Sequence, residues 1–153
     1  ADPAAFRAEG HAAHAGGGHG FAALFNGTAR NGAGREDTAD DGQTFVGFNE
    51  GDALTLTFAK PATLAAVQTV AGHHDARASQ AYELWVATAD APDRFERVAA
   101  VERRAEGGLN AVTVARTDGR PLAAHARAVR LVFHRGPDGF NVYREVVVTG
   151  RID

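Results

Sequence analysis

The sequence predicts an all-β protein, a sandwich or barrel built from about seven or eight short strands. Three observations carry that prediction. Apolar and polar residues alternate with period two in short runs separated by turn residues. No segment keeps a 3.6-residue period over the roughly ten residues that a stable helix needs. The 153 residues, 44% of them hydrophobic, suit one domain large enough to bury a core.

Taken in order, the chain begins with soft sequence. Residues 9–20 are almost entirely Gly, Ala and His, too small and polar for a core, and residues 1–20 read as a pliable arm carrying a first strand. A second stretch, Asn26 to Gly42, is rich in Gly, Asn, Thr and acidic residues and lacks apolar periodicity. A connection of that length inside a compact domain is functional or disordered. The patterned body, within a domain spanning residues 21–153, follows. Leu54, Leu56 and Phe58 alternate with Thr55 and Thr57, and this strand is expected to end at Lys60-Pro61. Leu64 to Val70 is a further apolar run, closed by Gly72 and a polar loop. Tyr82, Leu84 and Val86 alternate with Glu83 and Trp85, so Trp85, the lone Trp, is expected on the outward face. There it is either covered by the Asn26–Gly42 loop or open to a partner. Val112 and Val114 precede a Thr117-Asp118-Gly119 turn. Val129, Leu131 and Phe133 form another alternating strand, and Val146 and Val148 sit in a β-branched terminal run. Leu122 to Ala128 is the best, and short, helix candidate.

Composition excludes several classes of function. Net charge is −3, so no global basic field attracts nucleic acid or an anionic membrane. No apolar run approaches the ~20 residues of a membrane span. Without Cys there is no disulfide, thiolate nucleophile or Cys-ligated metal. Ser79 is the only Ser, and with His73 or His74 and Asp75 it makes a triad in composition alone, crowded into one loop with no separate element to hold each member. The expectation is a chain that is not an enzyme. Its first residues, Ala-Asp-Pro with no initiator Met, suggest a removed signal peptide and hence a secreted or cell-surface protein.

The order of motifs resembles the discoidin, or coagulation factor 5/8 type C, family. Ala23-Leu24-Phe25-Asn26-Gly27 is similar to its opening motif, and Thr44 to Phe48 and Leu54 to Phe58 continue the match. Gln80 to Val86 followed by Asp93-Arg94-Phe95 resembles the family's aromatic strand and its sequel. Val129 to Phe133 and the ending Tyr143 to Gly150 complete a correctly ordered series covering about residues 6–151. The resemblance implies a galactose-binding-like jelly-roll β-sandwich of two antiparallel sheets. It also implies a ligand held by loops at one end, and, as in carbohydrate-binding modules of this type, an extracellular glycan as partner. Fold alone does not fix the ligand.

A sugar needs donors and acceptors for neighbouring hydroxyls and an aromatic surface for its C–H face. The loop Gly72 to Arg77 offers His73, His74, Asp75 and Arg77; the loop Arg135 to Tyr143 offers Arg135, Phe140 and Asn141. The same resemblance implies a structural calcium, for which the matching positions are Asn26, Thr28 and Glu145, with Asp37, Asp40 and Asp41 as compensating carboxylates. Asn26 stands where the family has Asp, which removes one negative charge. Asn26-Gly27-Thr28 is also a formal glycosylation sequon. His11, His14 and His19 lie in a Gly-Ala setting that imposes no ligand geometry. An alternative to glycan binding is self-assembly into a filament, sheath or surface layer, with the arm docking on a neighbour's sheet edge and Trp85 in an interface.

Overall fold

A computed structural model of the chain describes residues 6–12, 14–15, 20–25 and 45–153. Nine strands occur among them: β1 (Phe6–His11), β2 (His14–Ala15), β3 (Val46–Phe48), β4 (Ala53–His73), β5 (Gln80–Thr88), β6 (Ala91–Arg103), β7 (Gly108–Ala115), β8 (Ala123–Phe133) and β9 (Asn141–Ile152). Short 3₁₀ turns at Gly20–Phe25 and Ala76–Ala78 complete the described elements.

The organising element is β4. Its 21 residues do not lie in one layer. Ala53 to Phe58 pair with β1 on one side, and Ala53 to Thr57 pair with β8 on the other. After register shifts between Thr57 and Leu64, its second half pairs with β9 and β7. The first layer therefore runs β1, first half of β4, β8, β5, β6, and the second runs β2, β3, β9, second half of β4, β7. Every pairing is antiparallel. This is the predicted all-β jelly-roll sandwich, a curled antiparallel sheet closed on its own core. Proline supplies the corner. Pro61 has no N–H to give a ladder, and it falls in the gap between the paired positions Thr57 and Ala62.

The period-two alternation does what it must. Leu54, Leu56, Tyr82, Leu84, Val129, Leu131 and Phe133 point inward from the first layer and are almost wholly inaccessible. Phe48, Val67, Tyr143 and Val146 meet them from the second. Phe133 stacks on Phe48 with ring centroids 3.7 Å apart and meets Tyr143 edge-on at 5.0 Å. Trp85 takes the opposite parity, as expected, and is half-buried on the outer face, with Arg130 and Arg97 as its register partners.

Two sequence expectations need correction, and two further elements show what the sequence did not. Leu122 to Ala128 is not helical: residues from Ala123 onward are strand β8. Alanine there lets β8 approach closely, with Ala126 fully buried opposite Ala62 and Thr88. Lys60-Pro61 does not end a strand but turns one between layers. Strand β6 gave no alternation in the sequence because it is an edge strand with a largely exposed, charged surface. Finally, Phe6 to His11 of the arm are integrated into the first layer along β4, with Phe6 edge-on to Phe25 at 4.9 Å.

Candidate functional site

Because β4 crosses between layers and returns, its two ends lie at the same end of the sandwich. The pairings place the turns at residues 49–52, 74–79, 104–107 and 134–140 together there. The sequence-predicted residues of both loops fall in this cluster.

Asp75 is its centre. It caps the 3₁₀ turn Ala76–Ala78, accepting from the Arg77 backbone N–H at 3.0 Å. The same Oδ1 meets Nδ1 of His73 at 2.8 Å, while Oδ2 accepts from Nη1 of Arg77 at 2.9 Å. His74 approaches Oδ2 at 3.8 Å, and its ring lies 4.1 Å from that of His73. Partial burial pushes the Asp75 carboxyl upward, but the hydrogen bonds from the Arg77 amide and from His73 outweigh it, so the carboxylate is held below its ordinary range. The two histidines differ sharply: His73 is 1% exposed at its side chain and His74 62%. His73 thus braces the loop, while His74, Asp75 and Arg77 face outward. The Arg77 guanidinium lies over the Phe140 ring at 5.0 Å, which ties the first loop to the second.

The second loop is fastened from below. Asn141 is fully buried, and Gly136 lies so close to it that a Cβ there would stand 1.9 Å from the amide oxygen. Arg135 is exposed; its backbone N–H donates to Glu50 at 2.9 Å. His134 bridges Glu50 (2.8 Å) and Glu83 (3.3 Å). The Glu50 hydrogen bond chiefly raises the pKa of His134 above its ordinary value, and the reciprocal bond lowers that of Glu50.

Beneath the loops a buried polar layer joins the sheets. Thr69 bonds to Gln80 and, at 2.9 Å, to the Tyr82 hydroxyl. Gln80 donates to Asn110, which donates to the Ala78 carbonyl at 2.7 Å. Arg144, wholly buried, donates from Nε to the Gly72 carbonyl at 2.9 Å and stacks over Phe45. None of these supports was visible in the sequence, because each depends on strand register. Ser79 belongs to the same layer: its hydroxyl donates to the Ala105 carbonyl and accepts the Ala105 N–H.

The metal expectation divides. Asn26, Thr28, Asp37, Asp40 and Asp41 lie outside the described residues, as does the sequon they overlap. Glu145 lies within them, buried on β9 opposite Val70. A buried carboxylate is chemically suited to be one ligand of calcium, which takes about six to eight oxygens. His11 of the soft segment bonds instead to the buried Asp52 at 2.6 Å.

The fold is similar to that of solved galactose-binding-like domains of the discoidin type. Solved structures agree across nearly the whole chain. The family 32 carbohydrate-binding module of Clostridium perfringens NanJ, in complex with galactose, superposes with a TM-score of 0.61 at 13% identity, over 92% of each chain. The family 32 module of AlyQ, in complex with 4,5-unsaturated mannuronic acid, gives 0.62 at 13% identity, over 94% of this chain and 93% of that one. The factor 5/8 type C domain of a Bacteroides fragilis protein gives 0.61 at 10% identity, over 99% and 96%. No family model matches the chain, and no curated protein does. The resemblance carried by the sequence motifs is thus confirmed at the level of fold.

Proposed function

We propose that this domain is a non-catalytic carbohydrate-binding module acting outside the cell, which holds a glycan at its end loops. One observation carries the reading: Asp75, clamped by His73 and Arg77, presents its carboxylate beside the exposed His74, with Arg77 lying over the Phe140 ring. Sugar recognition needs that combination, a pre-organised acceptor and donors for adjacent hydroxyls next to an apolar ring. Sugar-bound modules of the same fold support it. Arg135 and Phe140 contribute from the second loop, and Asn141 acts from beneath by fixing the loop that carries them. The ion is proposed as calcium, structural in role, with Glu145 as one ligand. The hydroxyl of Ser79, the one serine in the sequence, is committed to the backbone of Ala105.

Self-assembly finds less support. Of the arm, residues 1–20, that would dock on a neighbour, Phe6 to His11 are already paired with this chain's own β4.

A glycan array followed by isothermal titration tests the reading. Wild-type protein is expected to bind one class of glycan, and Arg77→Ala and His74→Ala to lose that binding while keeping the far-ultraviolet spectrum. Binding that survives both substitutions would overturn the end-loop site.

A further inference from the structure

Among the described residues, one set of three side chains offers metal-binding atoms at close range. It consists of His73, His74 and Asp75, whose ligand atoms, one from each residue, all lie within 4.8 Å of one another. Two imidazoles and a carboxylate are the donor set of zinc and of its neighbours copper and nickel. Calcium and magnesium take oxygen ligands instead, so this set differs in kind from an oxygen site at Glu145.

The backbone brings the three together. In a regular strand His73 and His74 would point to opposite faces. β4 ends at His73, however, and the turn that follows swings the second ring back beside the first, with centroids 4.1 Å apart and planes inclined at 33°. Asp75 comes next and faces both: Oδ2 stands 3.8 Å from Nε2 of His74, and Oδ1 2.8 Å from Nδ1 of His73. With bonds of about 2.0–2.1 Å, two ligand atoms of a tetrahedral zinc stand roughly 3.4 Å apart, so the set closes on an ion with shifts of roughly 1 Å. His74 is exposed, and its ring has room to make that shift. The bond from His73 to Asp75 fixes the orientation of the buried ring, as a carboxylate does behind a metal-binding histidine. Arg77 is the opposing feature: it donates to Oδ2 at 2.9 Å, and its charge repels a cation. A carboxylate oxygen has two lone-pair sites, so Oδ2 can keep that bond and still ligate.

We propose that His73, His74 and Asp75 form a site for a divalent transition metal of the zinc class, with the exposed side left to water. Occupation ties up the His74 ring and the Asp75 carboxylate that otherwise face sugar hydroxyls. Resting on the glycan reading, ion and glycan therefore exclude one another.

Isothermal titration of the full chain with zinc chloride, in excess calcium, tests the site without any sugar. Saturable binding is expected, with a melting point that rises as the logarithm of free zinc. His74→Ala removes an exposed side chain and keeps the fold; it should weaken zinc at least about tenfold, the low end of what losing even an outer-shell support of a metal costs. Asp75→Asn, which keeps an acceptor for His73 but not the charge, should do the same. Arg77→Ala should bind zinc at least as tightly as wild type while losing glycan, opposite effects that separate the two readings. No binding of zinc, or equal binding by wild type and His74→Ala, would overturn the metal site and leave the glycan reading standing. A glycan from the array that binds equally well in saturating zinc would overturn the exclusion. If the array returned no glycan, the glycan reading would fall and the exclusion with it, and the zinc titration would still decide the site.

Discussion

Replacing Asp75 with Ala removes three interactions at once, and their costs can be worked separately. His73 is 1% exposed at its side chain, so losing its partner leaves a buried ring N–H or acceptor unsatisfied, at about 1–3 kcal/mol. The cap of the 3₁₀ turn is lost, worth about 1 kcal/mol by analogy with helix N-caps. The pair with Arg77 is one-third exposed on both sides, so screening leaves it at most about 1 kcal/mol. The substitution should therefore destabilise the fold by about 2–5 kcal/mol, seen as a lower urea midpoint with unchanged slope. In a domain of this size that corresponds to a melting point about 5–15 °C lower. Asp75→Asn keeps an acceptor oxygen for His73 and should cost less than half as much. Sugar binding should disappear in Asp75→Ala, because Arg77 is released from its place over Phe140. A stability loss below about 1 kcal/mol, or equal losses in the two variants, would refute the view that this carboxylate holds the loop together.

Three further outcomes are expected. Gly136→Ala drives a methyl group into the Asn141 amide, so the loop must shift; glycan affinity should fall at least about tenfold while the melting point moves by only a few degrees. His134 has a raised folded pKa, so its bridge contributes fully below the ordinary value of 6.5 and is lost as pH rises through the higher folded value. Glu50 and Glu83, whose pKa values are lowered, lose their share only on acidification through the low folded values. The ring resonances of His134 followed by NMR should therefore titrate above 6.5, and a midpoint at or below it would remove the bridge from the account. For the proposed calcium, melting in chelator and in excess calcium should differ, with the stabilisation growing as the logarithm of free ion, and Glu145→Gln should abolish the difference. Identical curves would exclude the ion.

How much was legible beforehand followed physical locality. Tyr82-Leu84-Val86 and Val129-Leu131-Phe133 declare their buried faces because inward and outward positions alternate along a single segment. Ala91 to Arg103 declares nothing, since an edge strand facing solvent has no need of apolar alternation. The Ala-rich start of β8 favours helix locally, and only its pairing with Ala62 and Leu64 decides otherwise. The same distinction governs the site. His73, His74, Asp75 and Arg77 fall within five consecutive residues, so their sharing one polar loop is legible in the sequence. Glu50 and His134 reach the same region through strand register, which one sequence does not display. Phe140 was legible as an aromatic in a loop, but its meeting with Arg77 was not.

The passage of β4 through both layers has a mechanical consequence. A sandwich whose layers are joined only by loops can slide or part between them; here an unbroken run of backbone spans the division and ties Ala53 at one mouth of the end cluster to His73 at the other. Force or thermal agitation that separates the layers must first break the ladders on either side of the Pro61 corner. The two walls flanking the end loops are thus legs of one bent beam, and the spacing between them is set at the Pro61 corner, away from the loops themselves.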